Sequence, residues 1–444
     1  MRKASLFLLL SIAAFQAKAQ NNWQDLMHDG SANFFDIQAD FNLYYDSVMV
    51  GETSIPKGKG IKQFKRWEYY WQNRVDQFGN FPPAGHTLRE ALDYAEDNAN
   101  RSYETGTGSW EIVGPTPTPT NGTGQPNGSG RVNCIAFHPT DANTIFVGAP
   151  AGGFWKSTDN GSTWTEYSSG LVRLGVSSIV IHPTTPNTIY IATGDRDGGD
   201  APGYGVWRST DGGVTWASRN NGMGNRTVYE VLMHPTNPDI LIAATSGGRI
   251  YRSTNGGANW AYDYVGTNCR DIAFHPSNPD IVYGGGGDFV RSTDNGVSFV
   301  TVTSGVPNAS RIAIGVSADE PNWVYLLGGD GNGLVDLVRS TDSGLNFNSR
   351  TTTPNILGWD WDGSDVGSQA WYDLVMAVNP TDADEIYTGG INIWKSTDGG
   401  STMNLSGHWV GSGGADDVHA DHHAMEFSPH NGNVYNGNDG GAYY

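Results

Sequence analysis

The apolar positions of this chain change period once. Between residues 21 and 105, Phe34, Ile37, Phe41, Tyr44 and Val48 recur at helical spacing, and so do Ile61, Phe64, Trp67, Trp71 and Val75. Thr87 with Glu90 three residues on is a capping-box pattern that opens a third short helix. Beyond residue 130 the pattern becomes short apolar strands divided by turns. One phrase runs from an apolar strand through His-Pro or a variant and Asn/Asp-Pro to a strand ending Ile-Tyr-x-Gly. It occurs at 133–148, 177–193, 229–245, 270–284, 311–328, 373–389 and 423–437. A second phrase, apolar-x-Ser-Thr-Asp/Asn-x-Gly-x-x-aromatic, occurs at 157–164, 209–216, 253–260, 292–299, 340–347 and, ending in Met403, 396–403. Its starts lie 52, 44, 39, 48 and 56 residues apart, about the length of one four-stranded propeller blade.

The chain therefore reads as an all-β protein, a β-propeller of about seven blades behind a small helical N-terminal domain. The expected division is a signal peptide at 1–19, a helical domain at 20–106 and a propeller at 107–444. Residues 109–114 match the strand that follows each Ser-Thr-Asp phrase. They are expected to close the ring as the outermost strand of the last blade, since closure removes exposed sheet edges. The seventh repeat halts at 440–444, before a seventh box, and so predicts an incomplete last repeat and a truncated chain.

Composition sharpens this picture in three places. Sixty glycines with only 16% charged residues suit a turn-dense β protein. A formal charge of −20 disfavours nucleic acid and anionic lipid as partners. Arg2-Lys3, an apolar run from Leu6 to Phe15 and Ala17-Lys18-Ala19 read as a secretory leader, and no later stretch is long enough to span a bilayer. The product is expected to be secreted, extracellular or at the cell surface. Cys134 and Cys269 fall in repeats that are not neighbours, so no disulfide is expected between them. The repeated His138, His182, His234 and His275 occupy equivalent turns of different blades and are expected to cap those turns.

The Ser-Thr-Asp phrases resemble the Asp-box, or BNR, repeat of sialidases, sortilin-type (VPS10) receptors and xyloglucanase-like glycoside hydrolases. The resemblance covers roughly residues 109–444. It implies a propeller whose boxes lie at the blade periphery, with Asp159, Asp211, Asn255, Asp294, Asp342 and Asp398 in structural roles. In the xyloglucanase-like enzymes a catalytic aspartate precedes the Gly-Gly that leads to the first box; here Pro150 stands at or beside that place. A sialidase would need three arginines and a Tyr/Glu pair, for which Arg131, Arg270, Arg311 and Tyr229-Glu230 are candidates, but its early Arg-Ile-Pro motif is missing. Leader, helical preface and propeller together are similar to large surface proteins exported by the type IX system.

In a propeller the ligand site is normally the central mouth. Alignment of the inner strands brings Asp373, Asp421 and Glu230 there as candidate catalytic carboxylates. Arg131, Tyr229, Arg270, Tyr372, His419, His422 and His423 are the candidate ligand-binding residues. On an extended strand His419, Asp421 and His423 would share one face, a set able to hold a transition metal or to supply an acid/base pair. Asp195, Asp197 and Asp200, like Asp360, Asp362 and Asp365, form an Asp-x-Asp-Gly-x-Asp loop that suits a hard cation, which makes Ca2+ the one candidate cofactor. The first reading is a secreted or cell-surface module that binds glycan or an extracellular protein or peptide; the alternative is a glycoside hydrolase, xyloglucanase-like or sialidase-like, using mouth carboxylates.

Overall fold

The computed structural model describes residues 22–27, 32–93 and 122–444, apart from 57, 84, 85, 87, 88, 91, 92, 169, 172, 200, 267 and 268. The expected leader, the start of the third helix at Thr87, the 106/107 boundary and the strand at 109–114 lie outside the described residues. The chain divides into two compact units, 1–82 and 83–444.

In the first unit, helices α2 (Phe34–Val48) and α3 (Ile61–Trp71) form where the apolar spacing predicts helix, and a short helix α1 (Asn22–Met27), which that spacing did not announce, precedes them. Asn33 caps α2 by accepting from the Phe35 amide at 2.9 Å. The spacing is realised as a core of Trp23, Phe34, Ile37, Phe41, Ile61, Phe64, Trp67 and Trp71. Val75 packs against that core from beyond the end of α3, in a turn closed by Val75 N–H donating to the Trp71 carbonyl.

The second unit is a seven-bladed β-propeller. Its blades span 134–166, 176–218, 228–265, 271–302, 311–351, 375–417 and 422–443. Blades 1 to 5 have four antiparallel strands each. Blade 6 adds a short fifth strand (Asp416–Asp417) parallel to its fourth, and blade 7 has three among the described residues. Innermost strands sit side by side in chain order, and that of blade 1 (Cys134–Phe137) lies beside that of blade 7 (His422–Phe427), so the ring closes. Apolar side chains fill the spaces between blades. Val132, Ile135, Ile145 and Val147 of blade 1, for example, pack on Ala424 and Tyr435 of blade 7. Ser129 N–H donates to the Gly440 carbonyl (2.8 Å) and Val132 N–H to that of Asn438 (3.0 Å) along the same seam.

The six Ser-Thr-Asp turns share one hydrogen-bond scheme. In blade 5, Ser340 Oγ donates to Asp342 Oδ1 (2.7 Å) and accepts from Gly344 N–H (2.9 Å), while Asp342 Oδ1 accepts from Asn346 N–H (3.0 Å). Five of these turns do more than staple their own hairpins, because those of blades 2 to 6 also dock on the preceding blade. Gly213 of blade 2, with φ +100°, lies so close to Phe154 of blade 1 that a Cβ would meet its ring at 2.8 Å. Arg252 donates to Asn295 O, Arg291 to Ser343 O and Arg350 to Gly399 O, in each case reaching the next blade's turn at 2.7–2.8 Å. Ser340→Ala is therefore expected to lower unfolding free energy by about 1–3 kcal/mol, because the buried Gly344 amide loses its acceptor. Chemical denaturation measures this, with ligand binding unchanged.

The turn histidines behave as expected. Each of the Nδ1 atoms of His138, His182, His234 and His275 accepts the two backbone amides that follow in its turn, at 3.0–3.3 Å. Cys134 and Cys269 are both free. Among the described residues no helix is long and apolar enough to cross a membrane.

Candidate functional site

Three segments meet at the mouth of the ring. The 194–200 loop follows the second strand of blade 2, and the 368–373 turn leads into blade 6. The third is the entry to blade 7 at 419–423, joined by Asp439 from the end of that blade's second strand. In the blade 2 loop Asp195 Oδ1 accepts the Asp197 and Gly198 amides at 3.1 Å, an Asx turn that presents both carboxylates inward. Arg131 donates to Asp195 (2.6 Å) and to the Tyr372 hydroxyl (2.9 Å). Tyr372 in turn donates to Asp439 at 3.0 Å. His423 lies between two carboxylates, with Nε2 3.0 Å from Asp439 and Nδ1 3.1 Å from Asp197. Arg311 reaches Asp197 at 2.9 Å and caps the Tyr372 carbonyl at 3.1 Å, while Arg270 caps the Trp371 carbonyl at 2.7 Å. Arg270 also lies over the buried Tyr229 ring. Residues from blades 1, 2, 5 and 7 and the blade 6 lead-in are thus tied into one buried network.

The electrostatics follow from burial and pairing. Burial alone would raise Asp197, but Arg196, Arg311 and His423 overcome it and hold this carboxyl well below the usual range. Burial alone would lower His423, and the bonds to Asp197 and Asp439 outweigh it and raise the imidazole. Burial brings Arg311 down to about 10.

Beside this network stand Asp373 and Asp421. Asp373 is 1% exposed, and as two carboxylates the pair has no donor between them. Burial first, then the charge of Asp421, drives Asp373 well above the carboxylate range, so it keeps its proton and donates to Asp421. Burial and then Asp439 raise Asp421 to about 6, and Gln369 Nε2 donates to its Oδ1 at 2.9 Å. Asp421 has φ +65°, a left-handed conformation that non-glycine residues adopt mainly where surroundings impose it.

The channel below carries a second group. Glu230 Oε2 accepts Ile272 N–H (2.7 Å) and Asp271 Oδ2 accepts Ile314 N–H (2.8 Å), so each carboxylate ties its blade to the next. Glu426, on the innermost strand of blade 7, is exposed to solvent yet crowded by surrounding protein. That enclosure, with Asp271 nearby, pushes it up to about 7. Burial and their mutual charge also raise Glu230.

Several expectations change. His419, Asp421 and His423 do not share a face. The turn at Asp421 precedes the strand, which starts at His422 with a register shift before Ala424. His423 points into the network, whereas His419 Nδ1 lies 3.2 Å from the Ala420 carbonyl. His422 is fully buried against Gly389 and Asn436, and that burial lowers its pKa to about 3. Among the described residues no group of three or more His, Cys, Asp or Glu is arranged to hold a metal ion. Asp195 and Asp197 already face Arg131, Arg196 and Arg311, which supply the positive charge a cation would bring. Asp362 and Asp365 accept the Ser364 and Trp359 amides, and Asp360 accompanies them in the same loop. Asp200 lies outside the described residues. Sequence reasoning missed Asp439, Gln369, Arg196 and Glu426. Asp439 had a signal, since it directly precedes Gly440-Gly441, the dipeptide equivalent to Gly152-Gly153 in blade 1.

A family model described as sortilin, neurotensin receptor 3, matches residues 204–288. The xyloglucanase Xgh74A of Acetivibrio thermocellus is 28% identical over 336 residues, covering 64% of this chain and 39% of that protein. Among solved structures, an ancestral GH74 enzyme superposes with a TM-score of 0.55 at 17% identity, over 72% of this chain and 45% of the other. The GH74 xyloglucanase of Xanthomonas campestris gives 0.53 at 16% identity, over 71% and 52%. The chain is a propeller that resembles the sortilin and xyloglucanase types. The structural likenesses establish the fold, and the chain spans about 39% of the length of the curated relative it matches.

The buried charges set a pH optimum for stability. Asp421 and Glu426 have raised folded pKa values of about 6 and about 7, so they bind protons that the unfolded chain has released. Their ionisation disfavours folding as pH climbs from about 4 through 7. The contribution of His423 is full below its unfolded value of about 6.5 and is lost as pH rises through the higher folded one. Asp197 acts oppositely, and its contribution is lost as pH falls below about 4. The urea midpoint is therefore expected to be higher at pH 5 than at either pH 3 or pH 8.

Proposed function

We propose that this propeller is an exported, glycan-handling module of glycoside-hydrolase type that acts on a xyloglucan-like polysaccharide at the mouth of its ring. One observation carries the proposal: two carboxyls at the mouth, Asp421 and Asp439, are driven in opposite directions. Asp421 is raised to about 6, while hydrogen bonds from His423 and Tyr372 outweigh burial and hold Asp439 low. Such a divergence separates an acid from a carboxylate that stays ionised. Asp421 is half-buried and able to give a proton to a glycosidic oxygen. Asp439, 29% exposed, would face the positive charge that develops on the sugar ring. Asp373, in direct hydrogen-bond contact with Asp421, is too close to be its partner across a sugar, where carboxyls stand at least ~5 Å apart. It holds the neighbouring proton instead. The xyloglucanase relatives support the choice of substrate class.

A pure binding module is the second reading, favoured by the match of residues 204–288 to a sortilin receptor model. Reducing-end release from xyloglucan by wild type and Asp421→Asn, alongside retardation in xyloglucan-containing gels, separates the two. Retardation without release by either protein would leave the binding module and remove the hydrolase.

A further inference from the structure

The connection from blade 5 to blade 6 carries Gln369, Tyr372 and Asp373 into the mouth, and earlier in its course it presents Trp361. This indole is 50% exposed, unlike most aromatic side chains of the propeller. It is also held still. Asn355 N–H donates to the Gly363 carbonyl (3.0 Å), Gly363 N–H to that of Asp360 (3.1 Å), and Trp359 N–H to Asp365 (2.8 Å). The Trp359 carbonyl receives Trp409 Nε1 (3.2 Å) and Asn392 Nδ2 (3.3 Å), which pins the loop to blade 6. Gly413, with φ +68°, backs one side of the indole so closely that a Cβ there would come within 2.8–3.0 Å of it. A bare glycine behind the ring and solvent in front leave a flat aromatic surface in a fixed orientation.

We infer that Trp361 is a stacking platform for one sugar ring of a neutral polysaccharide, a binding subsite on the connection that also carries Asp373. The C–H face of a pyranose complements the electron-rich face of an indole, and one exposed ring suffices for that contact. Asp360 and Asp362 flank Trp361, and the exposed Asp416 and Asp417 follow Gly413 by three and four residues. Carboxylates in this position accept hydrogen bonds from sugar hydroxyls and repel uronates, so the class is neutral. A protein partner would need a contiguous apolar area. Here only Val366 among large exposed apolar residues shares the loop.

This inference rests on the glycan reading for its probe, and the test separates their failures. Full-length wild type, Trp361→Ala and Trp361→Phe are run in gels containing xyloglucan or polygalacturonate, with circular dichroism to check folding. The expected result is binding of wild type to xyloglucan, about tenfold weaker for the alanine variant and mostly kept by phenylalanine. Equal retardation of wild type and Trp361→Ala overturns the platform and leaves the glycan reading standing. Preference for polygalacturonate overturns the neutral class. Failure of wild type to bind xyloglucan at all overturns the functional proposal and the platform with it.

Discussion

Asp197→Ala is expected to lower the unfolding free energy by about 3–5 kcal/mol, the largest effect of any single substitution at the mouth. The carboxylate is fully buried and engages Arg311, Arg196 and His423, which arise from blade 5, the blade 2 loop and blade 7. Removing it takes the carboxylate from two guanidiniums and leaves the His423 imidazole with Asp439 as its one carboxylate partner. The loss is dominated by those stranded groups rather than by the attraction of the pair. An Asp197→Leu/Arg311→Met double variant is accordingly expected to recover part of the lost stability, because it removes one buried charge of each sign. Urea denaturation of the two variants against wild type checks both statements. If Asp197→Ala unfolds at the wild-type midpoint, the network is not a stabilising one.

On the proposed hydrolase function, Asp421→Asn carries the largest expected effect on activity. A positioned proton donor contributes about 10²–10⁴-fold to rate, and asparagine fills the same space without a transferable proton. Xyloglucan hydrolysis is expected to fall by that factor while gel retardation persists. With Asp421 titrating near 6, the wild-type rate should decline as pH rises above that value, because the acid form is depleted. Residual activity of the variant should lack that limb. A pH–rate profile in which the limb survives Asp421→Asn would assign the acid elsewhere.

The architecture was legible because each repeated phrase is a local device. Ser340, Asp342 and Gly344 satisfy one another within five residues, so their spacing alone declares a turn. The turn histidines were legible for the same reason. The mouth was legible only in composition. Arg131, Tyr372, Asp373, Asp421 and His423 do converge, but their partners come from other blades. Asp195 and Asp197 look like cation ligands until the guanidiniums facing them are seen, and Arg131 and Arg311 lie 64 and 114 residues away in the chain. Strict alternation failed at His419–His423 because the backbone turns left-handed at Asp421, and side-chain type does not announce such a turn. The docking of the turns of blades 2 to 6 on the preceding blade was hidden too. Glycine at 213 reads as turn chemistry, whereas its lack of a side chain also admits Phe154.

The seam between blades 1 and 7 has a kinetic meaning. Every other blade boundary joins neighbours in the chain, so six of the seven interfaces can assemble in succession, each onto the one before. The last joins Val132 to Asn438 and Ser129 to Gly440, partners about 300 residues apart whose meeting must wait for the stack between them. Until then the two terminal blades each present an uncovered apolar flank, Ile135 and Val147 on one side and Ala424 and Tyr435 on the other. The nascent propeller therefore passes through an open, sticky ring. The speed of that one closure sets how long it stays exposed to joining the wrong partner.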